Sequence, residues 1–148
     1  MISVTKPDNF SPRFEVSSCF LEYKDRFLLL HRQDHKPQGN TWGVPAGKVE
    51  KGETSAQAII REMQEEISLT VTEQNLIYFK SLYVRYSEYD FVYHIFSSVC
   101  QVEPKIVIDV KDHKDFQWVT PKESLTMNLI QDEDFCVELF YNNRLRNN

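Results

Sequence analysis

The sequence predicts an α/β domain in which a β-sheet is covered by helices on both faces. Three observations carry this. An acidic amphipathic helix pattern spans 54–68, with strand patterns on either side of it. The strand pattern at 90–102 is apolar on both alternating faces, with Phe91, Tyr93, Ile95 and Val99 on one and Val92, Phe96, Cys100 and Val102 on the other. A strand of that kind is packed on both sides. Finally, 148 residues, 41% of them hydrophobic and 26% charged, amount to one globular domain, expected to span 1–148.

The elements follow in order. Residues 13–23 and 26–32 read as strands, with Lys24 and Asp25 turning one into the other. The next stretch holds all four glycines of the chain, Gly39, Gly43, Gly47 and Gly52, together with Pro37, Pro45 and Trp42. That concentration of turn-forming residues ahead of a helix predicts a shaped functional loop. Thr54 and Gln57 have the spacing of a capping box. Behind them Ala56, Ile59, Ile60, Met63 and Ile67 recur at helical spacing as one apolar face. Residues 76–86 and 90–102 read as long strands joined at Ser87, Glu88 and Tyr89, and 115–119 as a short strand. A last helix starts at Asp132 or Glu133 and turns Phe135, Leu139 and Phe140 inward. The polar ends, Asn147 and Asn148 among them, are expected to fray.

Composition excludes several classes. With 17 Lys and Arg against 22 Asp and Glu, the net charge is −5, and no basic excess exists to hold a long nucleic-acid backbone. The longest apolar runs, 27–30 and 76–79, are too short to cross a membrane. The first residues lack the basic start and apolar core of a signal peptide. Cys19, Cys100 and Cys136 are odd in number and far apart, so neither a metal pair nor a disulfide framework is expected. A cytoplasmic location follows as the expectation.

The acidic helix is the informative element. Glu62, Glu65 and Glu66 fall within roughly 100° of one another around its axis. Three carboxylates on one side of a short helix repel unless something positive sits among them. Arg61 can pair with Glu65 at i+4, and a hard divalent cation such as Mg²⁺ suits the oxygen set better. A solvated charged face would carry the same pattern. Glu53 adds a carboxylate near the helix start, and a turn ending at Gly47 could aim a backbone carbonyl at the same cation.

The stretch 47–69 resembles the signature of the Nudix hydrolases, G-x5-E-x7-R-E-U-x-E-E-x-G-U with U aliphatic. Gly47, Glu53, Arg61, Glu62, Met63, Glu65, Glu66 and Leu69 fit it, and Ser68 stands where the pattern has its second glycine. The lead-in Thr41 to Glu50 is similar as well, with Ala46 replacing a common glycine. Serine at 68 touches none of the carboxylate chemistry and reads as a local change of helix cap. The likeness covers roughly 13–140. It implies the family's α/β/α sandwich with a mixed central sheet, and metal-dependent hydrolysis of a phosphoanhydride bond in a nucleoside diphosphate linked to another group. By the same resemblance Glu65, Glu66 and the Gly47 carbonyl are metal ligands, and Glu62 is a metal ligand or the general base. Arg61 orients the glutamates, and Glu53 holds that arrangement from the loop. The implied cofactor is Mg²⁺, with Mn²⁺ as the alternative.

Other candidates lie outside the signature. Asp112, six residues before Trp118, is the candidate extra metal ligand or base, since some family members supply an acid from that loop. Arg32 matches a position that reaches substrate phosphates, Trp42 and Tyr86 are candidates to stack on a base, and Asp132 could accept hydrogen bonds from a base edge. Packing under the loop is the favoured alternative for Trp42, and capping the helix the favoured alternative for Asp132. His94, inside a strand, reads as a satisfied core or site-lining residue.

The short chain resembles nucleoside-triphosphate cleaners. A nucleoside or deoxynucleoside triphosphate is the first expectation, with a dinucleoside polyphosphate or a nucleotide sugar behind it. A catalytically silent nucleotide-binding module is the alternative of another class, and the intact glutamates argue against it. The expected partner is a small nucleotide, without membrane or extended nucleic acid, and homodimerisation is left open.

Overall fold

The computed structural model describes residues 1–146, with side chains through Asn142. Asn147 and Asn148, read from the sequence as a frayed end, lie outside the described residues. Eight strands and three α-helices follow one another as β1 (Ile2–Ser3), β2 (Pro12–Tyr23), β3 (Arg26–Arg32), β4 (Trp42–Gly43), β5 (Ala46–Lys48), α1 (Ser55–Ile67), β6 (Ile77–Arg85), β7 (Asp90–Cys100), β8 (His113–Val119), α2 (Pro121–Ser124) and α3 (Glu133–Arg146).

All strands join one mixed sheet, in the order β1-β6-β7-β2-β3-β4, with β5 on β2 and β8 on β3. The parallel contact at its centre, β2 with β7, runs from Pro12 against Asp90 to Tyr23 against Cys100. The remaining ladders are antiparallel. The hairpin turn is made by Lys24 in the left-handed region (φ 57). Beyond it β2 and β3 pair only at Glu22 with Phe27 and Tyr23 with Arg26. They then separate, and β5 takes the other half of β2, Val16 to Ser18 against Lys48 to Ala46. This splay opens one end of the sheet beside the glycine-containing loop.

Alternation sorts the core into two layers. Phe20, Phe27, Leu29, Leu82 and Ile95 pack with Cys136, Val137 and Phe140 of α3. Their chain neighbours Cys19, Leu21, Leu28, Leu30 and Phe96 pack with Ile59, Met63 and Ile67 of α1. Side chains two apart share a face, so consecutive apolar residues must be covered from both sides. Truncating Met63, which is fully buried, is therefore expected to cost about 2–5 kcal/mol.

The helix ends match the expected chemistry. The Thr54 side chain accepts from Gln57 N, and Gln57 Oε1 accepts from Thr54 N. Ser68 closes α1 in the left-handed region (φ 58, ψ 35), its N–H shared between the Gln64 and Met63 carbonyls. Two expectations need correction. Val99 and Val102 are 49% and 79% exposed, because the strand runs beyond the two packed layers and ends at Cys100. The strand expected at 115–119 begins at His113, because pairing with Arg32 extends its ladder.

Candidate active site

Position 47 fixes the acidic end of the site. A Cβ at Gly47 would lie 2.1 Å from Glu62 Cδ, so the backbone and the carboxylate meet only because no side chain intervenes. Arg61, one residue before Glu62, gathers the acids. Its Nε donates to Glu53 Oε2 at 2.7 Å, Nη1 to Glu62 at 2.8 Å and to Glu65 at 3.2 Å, and Nη2 to Glu53 Oε1 and the Lys48 carbonyl at 3.0 Å each. Glu53 also accepts from Glu50 N at 2.8 Å, tying the loop to the helix. The Arg61 guanidinium and this backbone N–H hold the Glu53 carboxyl below its ordinary range.

Glu66 lies deeper, 9% exposed, and accepts from Ala46 N at 3.4 Å. Burial, and after it the charge of Glu62, raises its carboxyl well above the ordinary range. Burial raises Glu62 too, against the pull of Arg61. The two carboxyls lie close enough for the charge of Glu62 to act on Glu66, and a proton or a cation between them relieves that repulsion. Hard oxygen donors pressed together in this way suit a divalent cation. Glu65 is more open, its side chain 56% exposed and turned to Arg61. Among the described residues no three acids already converge on a single point.

A cavity of about 340 Å³ adjoins these acids. Its lining includes Gly47, Lys48 and Glu66, then Arg32 and His113, and the acids Asp132 and Glu133. Phe14, Tyr86, Tyr89, Phe91 and Tyr93 line it as well, with Phe14 and Phe91 stacked at 5.1 Å. Arg32 is oriented by its Nε bond to the Pro37 carbonyl at 2.8 Å. Lys48 lies with Nζ 4.3 Å from the Phe14 ring.

Two acids in the cavity lining stand out. Glu133 is 3% exposed. Its Oε1 accepts from Val44 N at 2.9 Å, while Oε2 is buried without a hydrogen-bond partner. Burial pushes its carboxyl up to about 7. Asp132, in the left-handed region (φ 69), has its Oδ2 buried and without a partner as well. Its charge, behind the larger effect of burial, raises the Tyr86 phenol.

The other candidates fall elsewhere. Trp42 does not line the cavity; its ring stacks on His31 at 4.2 Å and packs against the α3-side core. Asp112 sits beside the cavity rather than in its wall, its carboxylate 2.9 Å from Lys36 Nζ, close enough to Glu66 for its charge to be felt there. His94 is on the α1 side of the sheet, bonded to Glu15 at 2.5 Å and Ser81 at 2.7 Å. Glu133, Lys48 and His113 were missed by sequence reasoning. For Glu133 a signal existed: it is in helical phase with Cys136, Val137 and Phe140, an acid on an inward face. His113 carries a buried, unpartnered Nδ1, and burial lowers its pKa to about 4.

A family model described as the NUDIX domain matches residues 12–137, which spans the acidic helix and both Asp132 and Glu133. The chain belongs to the Nudix family. Among Nudix relatives it is similar to the dihydroneopterin triphosphate diphosphatase of Haemophilus influenzae, 27% identical over 133 residues and covering 82% of each chain. It is also similar to the 8-oxo-dGTP diphosphatase of Proteus vulgaris, 49% identical over 50 residues, or 34% of this chain and 45% of that one. The solution structure of the E. coli ORF135 protein superposes with a TM-score of 0.74 at 25% identity, covering 88% of this chain and 90% of that one. The Nudix fold and a Nudix pyrophosphohydrolase acting on nucleotide-type substrates are thereby shown. Among the described residues no helix is long and apolar enough to cross a membrane.

Proposed function

We propose that the protein hydrolyses a phosphoanhydride bond of a nucleoside or deoxynucleoside triphosphate, with Mg²⁺ held by Glu62, Glu65, Glu66 and the Gly47 carbonyl. One observation carries this reading. The same cavity is lined by Gly47 and Glu66 of the acidic site, by Arg32 and Lys48, and by the aromatic rings of Phe14, Tyr86, Phe91 and Tyr93. Apolar surface for a ring and charged groups for a phosphate chain are thus gathered in one place. Two of the relatives, by name, act on triphosphates.

A divalent cation bound there supplies charge neutralisation on the phosphate oxygens. The chain's own residues do the rest. Arg61 holds Glu53, Glu62 and Glu65 in one fixed array, so the acids do not reorganise during the reaction. Arg32 and Lys48 offer positive charge to the phosphate chain from the cavity wall. Glu62, desolvated and raised in pKa, is placed either to bind the cation or to take the proton of the attacking water. Asp112, beside the cavity and paired with Lys36, would assist from the loop before β8 only on leaving that pairing.

The test is a hydrolysis panel with Mg²⁺. It contains nucleoside triphosphates, oxidised nucleotides, dinucleoside polyphosphates, ADP-ribose and nucleotide sugars, with phosphate and pyrophosphate measured. Metal-dependent turnover of triphosphates that is lost in Glu66→Gln supports the reading. Turnover of another class, or none by folded protein, overturns it.

A further inference from the structure

Helix α1 covers only part of its face of the sheet, packing over Cys19, Leu21, Leu28, Leu30 and Phe96. Beyond it, β6, β7 and the first half of β2 hold a chain of four polar side chains, none of which lines the cavity. Ser81 and His94 are directly opposite each other in the β6–β7 ladder, and Glu15 lies on the neighbouring β2, opposite Val92. Ser81 Oγ is 2.7 Å from His94 Nδ1, and His94 Nε2 is 2.5 Å from Glu15 Oε1. The Tyr78 hydroxyl is 2.6 Å from Ser81 Oγ, and the register shift at Phe79 brings it round to the same face. That face is open, with the Glu15 side chain 51% exposed and Tyr78 55%.

The direction of these bonds follows from their chemistry. A carboxylate only accepts, so the ring proton sits at Nε2 and Nδ1 turns its lone pair to Ser81. Ser81 then donates to Nδ1 and accepts from Tyr78. A tie between strands needs one such bond. Hydroxyl, imidazole and carboxylate in sequence, each within hydrogen-bond reach of the next, are the parts of an activated nucleophile.

We propose that Ser81 is the nucleophile of a second site, apart from the acidic helix, that hydrolyses small activated carboxylic esters. His94 is its base and Glu15 the residue that positions His94. This stands independently of the triphosphate reading. Ser81 Oγ bonds to the ester carbonyl carbon as its proton passes to His94 Nδ1. The oxyanion that forms takes a hydrogen bond from the Tyr78 hydroxyl, which shifts to it from Ser81 Oγ. The bond from that carbon to the alcohol or phenol oxygen then breaks, and the Nδ1 proton goes to the leaving oxygen. Water attacks the acyl-serine in the same way, giving its proton to Nδ1. Ser81 leaves with that proton, and the carboxylic acid is released. Tyr83 shares the face, two residues along β6, so an aryl ester has a ring on either side of Ser81 to pack against. An open face supplies little binding energy, which confines the site to esters with good leaving groups.

The experiment uses the full chain with a chelator present, so that metal-dependent hydrolysis is silent. The probes are a fluorophosphonate and p-nitrophenyl acetate. The first is expected to give a single adduct, placed on Ser81 by peptide mass spectrometry, and the second to be turned over through acetyl-Ser81. Ser81→Ala should abolish both. His94→Gln should slow both by about 100-fold, the scale of a lost general base. Glu15→Gln should slow them about tenfold or more, because an amide can donate to Nε2 and move the ring proton to Nδ1. Glu15 is exposed, so this variant tests the relay even where His94→Gln fails to fold. A purely structural network would shift urea midpoints in these variants and leave the labelling rate alone. An adduct elsewhere, labelling of the wild type no faster than of Ser81→Ala, or a Glu15→Gln chain that labels at the wild-type rate overturns the proposal.

Discussion

Glu62 occupies the space that a side chain at Gly47 would need, with its Cδ 2.1 Å from the position of a Cβ there. The loop and the helix are therefore registered against each other by the absence of one carbon. Gly47→Ala must push Glu62 away or shift β5. Displacing a reacting group by about 1 Å costs on the order of 100-fold in rate. That loss is expected in kcat for Gly47→Ala, with a far-ultraviolet spectrum like the wild type's.

Arg61 makes a fork that a lysine cannot reproduce, since it serves Glu53, Glu62 and Glu65 and the Lys48 carbonyl at once. Arg61→Lys is expected to lower kcat by about 10–100-fold, the range seen when a group that orients metal ligands is removed. Activity near wild type in steady-state assays would mean that the helix geometry holds the acids without it.

Metal-free stability should depend on pH in a particular direction. Glu66 and Glu133 have folded pKa values above their ordinary 4.5, mainly through burial. An acid of that kind binds more protons folded than unfolded, so stability is greatest below the unfolded value and falls as pH rises through the folded one. With a chelator present, urea midpoints should therefore decline from about pH 4.5 to about pH 7 and beyond. Glu66→Gln should flatten part of that decline. Added Mg²⁺ should restore more stability at neutral pH than in acid, where the ligands are protonated.

Ser68 is the place where the chain departs from its family signature, and it adopts the left-handed conformation that glycine takes without strain (φ 58). Ser68→Gly loses an exposed bond from Oγ to the Val107 carbonyl at 3.2 Å. The relief of backbone strain outweighs that bond, and the variant should gain about 0.5–1 kcal/mol in urea unfolding with unchanged kcat.

Sequence reading reached those parts of the fold that have a period. The apolar face of α1, the capping box and the long strands β6 and β7 each repeat a signal over many residues. Strands β1, β4 and β5, two or three residues each, have no period to show and exist only because a longer neighbour pairs with them. The same division holds in the site. Glu62, Glu65 and Glu66 were legible because helical spacing gathers them on one side. Glu133 was overlooked despite its inward phase, because an acid in the first turn of a helix ordinarily answers the helix dipole and needs no other reason to be there. Trp42 was open to two readings, stacking on a base or packing under the loop, and the structure packs it, with its ring on His31.

The short segment Val44 to Ala46 touches both acids that matter most. Val44 N is held by Glu133, Ala46 N by Glu66, and the Pro45 carbonyl between them is pinned to Cys19 N at 3.1 Å. The chain bends at Pro45, and with successive Cα atoms about 3.8 Å apart that pinned bend sets the spacing of the two N–H groups. This makes the segment a strut laid between Glu133 on the last helix and Glu66 on the acidic one. A displacement of either acid is passed along the strut to the other. The two helices on opposite faces of the sheet are, in this molecule, held to one scale by three residues.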